Sequence, residues 1–277
     1  MLSMTTDYFM SSGCPEPYLR RIAEAGFTHV HWCHQWKTDF LYCDAEIRQI
    51  GQWLQDFGLG LTDLHASAGM EKAWVSEREY QRQAGVELVR NRMEMTARLG
   101  SDVIIMHLEE PAEAGRAGAF WDQAHRTLDE LEPAARQLGV RIALENGHFD
   151  TLERAFAWYG PAYIGLCYDS GHGNASKGLN RLEQHKDRLI SVHLHDNDGT
   201  ADQHRLIFSG TVDWPRLARL IAESSYRKWM SLETTMANAG IRDEKEFLRQ
   251  AFETGTAFSQ MVDACRSGTH GAGASDG

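Results

Sequence analysis

The stretch that decides the fold runs from Val140 to Asp169 and reads VRIALENGHFDTLERAFAWYGPAYIGLCYD. Its two ends, 140–146 and 163–169, are short apolar runs typical of buried strands. The longer segment between them, near 150–159, is predicted to be a helix. A strand, a helix and another strand in this order are typical of neighbouring parallel strands. The stretch therefore predicts a parallel sheet that is covered by helices.

The same alternation extends over most of the chain. Further strands are predicted at 2–9, 27–34, 59–66, 102–108, 189–196 and 229–234, and further helices near 15–25, 44–57, 77–99, 119–138, 179–187, 214–224 and 243–265. Several helices end at a glycine just before the next strand, as at Gly58 and Gly139, and glycine commonly provides the left-handed residue after a helix. Eight such units without a long linker predict an α/β fold, a (β/α)8 TIM barrel that forms a single domain over residues 1–265.

Two further observations bear on this fold prediction. An open, doubly wound sheet is the structural alternative, but no Gly-x-Gly-x-x-Gly motif follows the first strand to indicate a dinucleotide site. The last segment, 266–277 (RSGTHGAGASDG), consists of small and polar residues, so we expect a disordered C-terminal tail there.

The charge balance and composition argue against several functional classes. The 277 residues include 28 basic and 39 acidic side chains, a formal net charge of −11, whereas nucleic-acid binding usually rests on a basic surface. No apolar run approaches the ~18 residues of a membrane helix, and the start MLSMTTDYFM lacks the pattern of a secretory signal. The five cysteines form no Cys-x-x-Cys pair and are expected to be reduced. We therefore expect a cytoplasmic protein without nucleic-acid or membrane partners, and a homo-oligomer is a class-level expectation.

Four consecutive strands end in side chains that can bind a metal. Side chains alternate between the two faces of a strand, and Glu145, Asp169, His195 and Glu233 all fall on the predicted inner face near a strand end. Active sites of TIM barrels lie at these C-terminal strand ends. Because unpartnered carboxylates are costly to bury, a divalent cation such as Mn, Zn, Co, Fe or Mg would stabilise the group. No organic cofactor is expected.

Further histidines are predicted at the same end of the barrel. His65 and His107 end the third and fourth strands with inward parity, His172 follows the sixth strand, and the pair Asp202-x-His204 follows the seventh. Seven other histidines are assigned to the rim (His29, His31 or His34), to barrel packing (His193) and to the surface (His125, His185 and His270).

Aromatic side chains near the strand ends are candidates for substrate contact. Trp32, Trp36, Trp74 and Phe149 lie at or just beyond strand ends, where their rings could stack on the apolar face of a sugar or could simply pack. Trp74 belongs to a long loop after the third strand, and such a loop could cover the site.

The motifs at the strand ends together resemble a known superfamily. They are Glu145-Asn146, Asp169-Ser170-Gly171-His172, His193-Leu194-His195-Asp196-Asn197, Asp202-Gln203-His204 and Leu232-Glu233-Thr234. Over residues 1–265 the chain resembles the xylose-isomerase-like TIM-barrel superfamily, which contains sugar epimerases and isomerases, inosose dehydratases and apurinic-site endonucleases. The resemblance to the epimerase and isomerase branch implies that Glu145, Asp169, His195 and Glu233 bind one divalent metal. It also implies that the two glutamates act as acid and base.

The same resemblance implies roles for the surrounding residues. In the epimerase and isomerase branch, His172 would contact a sugar oxygen, and Arg205 is the nearest candidate for a substrate-binding arginine. His65, His107 and Trp32 are further candidates for substrate contact. The endonuclease branch implies instead a three-zinc site, in which the additional ligands would be His65, His107, His172, Asp202 and His204.

Two enzymatic hypotheses follow from these residues. The first is a metal-dependent isomerase or epimerase of a small sugar or keto-polyol, in which a glutamate removes a proton next to a carbonyl and a metal stabilises the enediolate. The second is a multinuclear-zinc phosphoester hydrolase of the endonuclease type. A metal-dependent dehydratase or lyase on a keto-polyol would use the same proton abstraction, and a barrel that only binds metal or sugar is a third class.

Overall fold

The strands form one closed barrel in the computed structural model, which describes residues 1–66, 68–110 and 116–269. The eight strands are Leu2–Thr5 (β1), His29–Trp32 (β2), Gly60–His65 (β3), Val103–His107 (β4), Arg141–Glu145 (β5), Ile164–Asp169 (β6), Leu189–Leu194 (β7) and Met230–Leu232 (β8). Neighbouring strands are parallel and follow one another in chain order, and β1 pairs with β8 to close the barrel. The predicted (β/α)8 barrel is confirmed.

Helices connect the strands on the outside of the barrel. They are Glu16–Glu24 (α1), Asp44–Phe57 (α2), Glu79–Arg98 (α3), Ala117–Leu138 (α4), Phe149–Trp158 (α5), Ser170–Ser176 (α6), Leu179–His185 (α7), Trp214–Glu223 (α8), Met236–Ala239 (α9) and Glu244–Thr269 (α10). Gly58 and Gly139 end α2 and α4 at φ values of 67° and 66°, in the left-handed region that glycine adopts without strain. The short helices α6 and α9 were not predicted, because they span too few turns to show an apolar period.

Most of the apolar core lies between the barrel and the helices. Outward-facing strand residues such as Leu144, Leu166 and Val192 are fully buried there, as alternation along a strand requires. A separate and smaller apolar cluster lies inside the barrel and consists of Val103, Ile105, Ala143, Cys167 and Ile190. Polar side chains line much of the remaining barrel interior, toward the C-terminal ends of the strands.

The C-terminal boundary of the barrel differs from the prediction. Helix α10 continues to Thr269, so residues 266–269 of the expected disordered tail are helical. One reason is that the guanidinium of Arg266 donates a hydrogen bond to the carbonyl of Tyr226 at 2.9 Å, which attaches the last turns to the barrel. The remainder of the expected tail, 270–277 with His270, lies outside the described residues. Within the described ranges, no helix combines the length and apolar character needed to cross a membrane.

Candidate metal centre

The C-terminal ends of the strands surround an open cleft of 520 Å³. Its polar lining consists of Lys37, His65, His107, Glu109, Glu145, His172, Asp202, His204 and Glu233. Apolar lining comes from Trp36, Met70, Trp74, Val75 and Phe120. The cleft therefore combines a group of acids and imidazoles with an apolar wall, at the end of the barrel where the alternation of strand residues predicts a site.

Short-range hydrogen bonds fix the ends of strands β5 to β7. The amide of Asn146 donates to the carbonyl of Asp169 at 3.0 Å, and its oxygen accepts from the Asp169 backbone N–H at 2.6 Å. The hydroxyl of Ser170 donates to the carbonyl of His195 and accepts from its backbone N–H. A Cβ atom at Gly171 would overlap the His195 ring, so glycine allows α6 to lie against this imidazole. These contacts hold Asp169 and His195 in fixed positions.

Asp169 and His195 form the first part of the cluster. The Nε2 atom of His195 lies 3.1 Å from Oδ1 of Asp169 and 3.4 Å from Oδ1 of Asp202. His204 stacks on the His195 ring at 4.1 Å and contacts Oδ2 of Asp202 through Nε2 at 3.0 Å. On the other side of Asp202, Nε2 of His172 lies 3.4 Å from Oδ2. Asp202 therefore connects three imidazoles.

Glu145 forms the centre of the second part. Its Oε2 atom lies 3.3 Å from Nε2 of His65, 3.4 Å from Nε2 of His107 and 3.3 Å from Nδ1 of His193. Its Oε1 atom lies 3.4 Å from Nδ1 of His172, which links it to the first part of the cluster. Four imidazoles thus approach one buried carboxylate.

Glu233 faces Glu145 across the same imidazole. Its Oε2 atom lies 3.2 Å from Nδ1 of His193, and its Oε1 atom lies 3.7 Å from both Nε2 of His31 and Sγ of Cys33. The backbone carbonyl of Glu233 accepts a hydrogen bond from Nδ1 of His204 at 2.7 Å. The two glutamates therefore approach one nitrogen of His193 from two different strands.

Several buried atoms of this cluster have no hydrogen-bond partner. They are Oε2 of Glu145, Oδ2 of Asp169, Nδ1 of His172 and both ring nitrogens of His193 and of His195. A buried polar atom without a partner costs about 1–3 kcal/mol. Because these atoms are carboxylate oxygens and imidazole nitrogens, they are also the donors that divalent zinc or manganese binds. The donor set of this chain therefore fits a divalent metal.

The electrostatics of the cluster are set by burial and by close opposite charges. Burial, the largest single influence, raises the pKa of Glu145, but the charges of His193 and His107 and the contacts with His193 and His65 together outweigh it and hold that pKa well below its ordinary value. The charge of Asp169 raises the pKa of His172 to about 11. Burial lowers the pKa of His65 to about 4, so this imidazole is neutral and has a lone pair on one nitrogen.

The ligand sets implied by the resemblance are only partly separate in space. Ligand atoms of His65, His107 and Glu145 lie within 4.8 Å of one another, and so do those of His195, His204 and Glu233. The ligands expected for one metal and those expected for further metals therefore belong to one continuous cluster. The first set is Glu145, Asp169, His195 and Glu233, and the second is His65, His107, His172, Asp202 and His204.

A deeper layer of polar residues was not predicted as part of the site. The carboxylate of Asp63 accepts hydrogen bonds from Nδ1 of His31, at 2.5 Å, and from the hydroxyl of Ser191. All three residues are buried. Asp63 has the same inward parity as His65, so the alternation that identified His65 was a signal for Asp63 as well.

The assignment of His193 to barrel packing was wrong. It rested on the position of His193 one layer below His195. Its ring lies close enough to the cleft to contact both Glu145 and Glu233, so it belongs to the cluster. Of the histidines assigned to the rim, His29 stacks on Trp229 at 3.6 Å at the start of β2.

Trp32 does not reach the cleft, so the expected contact with substrate is corrected. It lies on the outer face of β2, is 1% exposed, and donates from its indole nitrogen to the hydroxyl of Tyr42 at 3.1 Å. The inward neighbour on this strand is His31. Trp36 lines the cleft together with Trp74 and Phe120, and its ring lies 5.3 Å from that of His107.

Arg205 and His34 also lie away from the cleft lining. The backbone of Arg205 pairs with Asp196 in both directions at 2.9 Å, and its guanidinium lies 3.3 Å from Oδ2 of Asp198. The side chain therefore points away from its neighbour His204, and the expected contact of Arg205 with substrate is corrected. His34 donates from Nε2 to the carbonyl of Gly13 at 2.8 Å.

The loop that contains Trp74 forms part of the cleft wall. Trp74 is buried, and its carbonyl accepts a hydrogen bond from the hydroxyl of Thr127 at 2.7 Å. The carboxylate of Asp39 accepts from the backbone N–H groups of Glu71 and Lys72. The loop is thus attached at two points. Phe149 is the first residue of α5, is buried, and does not line the cleft.

Comparison with known proteins agrees with this architecture. Residues 19–251 match the family described as xylose isomerase-like TIM barrel. The uncharacterized protein y4fM of Sinorhizobium fredii is 30% identical over 276 residues, which cover 88% of each chain. The inosose dehydratase of Bacillus licheniformis is 24% identical over 139 residues, which cover 41% of this chain and 46% of that protein.

Solved structures share the whole barrel at low sequence identity. A D-tagatose 3-epimerase-like protein has a TM-score of 0.77 at 19% identity, over 97% of this chain and 100% of that chain. The IOLI protein with a bound zinc atom has a TM-score of 0.71 at 15% identity, over 95% and 98% of the two chains. At these identities the likeness shows the fold. With the family match over most of its length, the chain belongs to the xylose isomerase-like TIM-barrel family.

Proposed function

We propose that this protein is a divalent-metal-dependent isomerase or epimerase of a small sugar or keto-polyol. The observation that carries the proposal is the position of Glu145 and Glu233. Their carboxylates lie 3.3 Å and 3.2 Å from one nitrogen of His193, and both residues line the cleft. Two carboxylates that converge from β5 and from the end of β8 can act on the two sides of a substrate. The epimerase fold of the D-tagatose 3-epimerase-like protein supports the same reaction class.

In this proposal, Glu145, Asp169, His195 and Glu233 hold the metal. A divalent cation at this position supplies Lewis-acid stabilisation of the negative charge that develops on the substrate oxygens. One glutamate removes the proton from the carbon next to the carbonyl, and the other returns a proton to the opposite side. The low pKa of Glu145 keeps it ionised and able to accept a proton at neutral pH.

The surrounding side chains orient the substrate in the cleft. His172 lies between Glu145 and Asp202, where its N–H groups can donate to a sugar hydroxyl. His107 is stacked against Trp36, and together they form a surface with one polar edge and one apolar face. A sugar has hydroxyl groups and an apolar face, so its shape matches this wall. The cleft volume of 520 Å³ lies within the ordinary range for small-molecule sites.

The test is exchange of the substrate C–H with solvent. Protein loaded with manganese is incubated with a panel of keto sugars in D2O, and deuterium uptake is followed by mass spectrometry. Glu145→Gln and Glu233→Gln should each reduce uptake by about 10²–10⁴-fold, the range for loss of a general base. Glu109→Gln is the matched control, because Glu109 is an exposed glutamate on the wall of the same cleft. Undiminished deuterium uptake in Glu145→Gln or in Glu233→Gln would contradict the proposal.

A phosphoester hydrolase is the second candidate. It is favoured by the group of His65, His107 and Glu145 and by the contacts of Asp202 with His172 and His204, which offer ligands for more than one metal. A hydrolase of this type needs His107 and Asp202 as ligands, so His107→Asn and Asp202→Asn should each lower the metal content. The variants would then also lose hydrolysis of bis(p-nitrophenyl) phosphate. An isomerase with one metal keeps its metal content in both variants.

A further inference from the structure

Below the proposed metal centre, a second group of ligand atoms includes a cysteine. The group consists of His31, Cys33, His65 and Glu233, and its ligand atoms all lie within 4.8 Å of one another. Each of these four residues is less than 9% exposed. Neither the sequence pattern nor the proposed function uses Cys33 or His31. We propose that this group is a second metal site, with one thiolate, two imidazole nitrogens and one carboxylate oxygen as ligands for zinc.

The distances within the group resemble the edges of a tetrahedral site. Sγ of Cys33 lies 2.8 Å from Nε2 of His31, 3.3 Å from Nδ1 of His65 and 3.7 Å from Oε1 of Glu233. The two imidazole nitrogens are 2.9 Å apart, and Glu233 Oε1 is 3.7 Å from Nε2 of His31. Around a zinc ion with ordinary bond lengths, neighbouring N, O and S ligands are about 3.3–3.6 Å apart. Three of the five distances match these edges to within about 0.1 Å, and the two shorter ones both involve Nε2 of His31, where the group would open by about 0.4–0.5 Å around the ion.

Two contacts within this group compete for the same nitrogen atom. Nε2 of His31 is close to both Cys33 and His65, yet an imidazole nitrogen has either one proton or one lone pair to offer. It can therefore form one good hydrogen bond to these two neighbours. A metal ion binds all the donor atoms at once, which removes this conflict.

His31 also has the partner that metal-binding histidines usually have. Its Nδ1 atom contacts the carboxylate of Asp63 at 2.5 Å, while Nε2 points to the group. Metal-ligating histidines commonly donate from the second ring nitrogen to a carboxylate, which fixes the ring and increases the basicity of the nitrogen that binds metal. Asp63 is itself held by the Ser191 hydroxyl. The Asp63–His31 pair therefore provides an oriented ligand inside the barrel.

The second site is compatible with the proposed centre above it. His65 faces Cys33 with Nδ1, while its Nε2 atom faces the upper centre, 3.0 Å from Nε2 of His107 and 3.3 Å from Oε2 of Glu145. Glu233 uses Oε1 toward Cys33 and Oε2 toward His193 and the cleft. A thiolate favours zinc and cobalt over magnesium or manganese. The two sites thus differ in chemistry, since the upper one has only oxygen and nitrogen ligands.

The test uses sulfur ligation by Cys33, which none of the four proposed ligands of the upper site can provide; the cysteine near that site is Cys167, beside Glu145 and His193. Zinc-loaded full-length protein is studied by X-ray absorption, and a sulfur neighbour is expected at about 2.3 Å. Cobalt-substituted protein should show the intense sulfur-to-cobalt absorption of a thiolate ligand, and Cys33→Ser should abolish it. Cys167→Ser is the matched control, because Cys167 is the other buried cysteine and should leave the signal unchanged.

Three results would overturn the second site. They are zinc without a sulfur neighbour in the wild-type protein, a thiolate signal that survives Cys33→Ser, and a signal that is lost in Cys167→Ser. If Cys33→Ser does not fold, a variant that retains Cys33 as its only cysteine decides the question. It carries Cys14→Ser, Cys43→Ser, Cys167→Ala and Cys265→Ser. A sulfur neighbour in this variant supports the second site, and its loss overturns it. The outcome is independent of the proposed function, since sulfur ligation is measured without substrate turnover.

Discussion

At the scale of single residues, the candidate site depends on small side chains as much as on charged ones. Gly171 directly follows Ser170 at the start of α6, and a Cβ atom here would overlap the His195 imidazole. Its φ is not in the left-handed region, so the requirement is close approach. The glycine thereby sets the position of His195 relative to Asp169.

Gly171→Ala is therefore expected to weaken metal binding without unfolding the barrel. The added methyl group would displace His195 from Asp169, and disturbances next to a ligand typically cost about 10–100-fold in metal affinity. Isothermal titration of chelator-treated protein with manganese measures the change. Gly118→Ala in α4 is the control, since a Cβ there meets open space. Equal affinities for Gly171→Ala and wild type would contradict the role given to this glycine.

At the scale of elements, alternation along the strands explains what the sequence could predict. It identified the inward side chains at the ends of β5, β6 and β7, because each of these strands has apolar residues on the other face. It did not exclude Trp32, since the register of β2 shifts between Val30 and His31 and the strand ends are hard to assign from composition. Parity also cannot tell how deep a residue lies, and for this reason His31 and His193 were not assigned to the cluster.

Helix α10 is the element that covers the junction of β1 and β8. Phe258 on this helix is fully buried, and its ring lies 5.1 Å from that of Trp214 in α8. Phe258→Ala should lower the free energy of unfolding by about 3–5 kcal/mol, because a large aromatic side chain leaves a cavity. Urea denaturation followed by circular dichroism measures the loss. Gln260→Ala, an exposed change on the same helix, should stay within about 0.5 kcal/mol. A loss below about 1 kcal/mol for Phe258→Ala would contradict this role of α10.

At the scale of the whole molecule, part of the acidic surplus of the sequence is concentrated in the candidate metal centre. Glu145, Asp169, Asp202 and Glu233 lie in one cluster with histidines. Net charge alone could not reveal this, because charge totals do not report where the side chains lie. The metal number and the substrate depend on distances of a few ångströms between these groups, and spacing in the sequence does not determine such distances.

The raised pKa values of two histidines in the cluster predict how the stability of the metal-free protein depends on pH. The charge of Asp169 raises the pKa of His172 to about 11. Burial lowers the pKa of His204, but the hydrogen bond to Asp202 and the charges of Glu233, Asp202 and Asp169 together outweigh burial and raise it to about 10. In the unfolded chain both histidines have a pKa of about 6.5. Their contribution to stability is therefore complete below about 6.5 and is lost as the pH rises through the folded-state values.

Thermal melts of chelator-treated protein between pH 6.5 and 9.5 test this linkage. We expect the melting temperature to fall with rising pH in the wild type and to fall less in Asp202→Asn, which removes the shared partner of His172 and His204. Metal affinity should change in the opposite direction, since ligands must lose protons to bind. Identical slopes for the two proteins would show that Asp202 does not raise these pKa values.

The central claim is that Glu145, Asp169, His195 and Glu233 bind a divalent metal at the C-terminal end of the barrel. Anomalous diffraction at the zinc absorption edge, from crystals of the zinc-loaded protein, measures this most directly. The claim predicts an anomalous peak within about 2.0–2.2 Å of carboxylate oxygens of Glu145, Asp169 and Glu233 and of Nε2 of His195. An anomalous map with no peak among these four side chains in zinc-saturated crystals would contradict it.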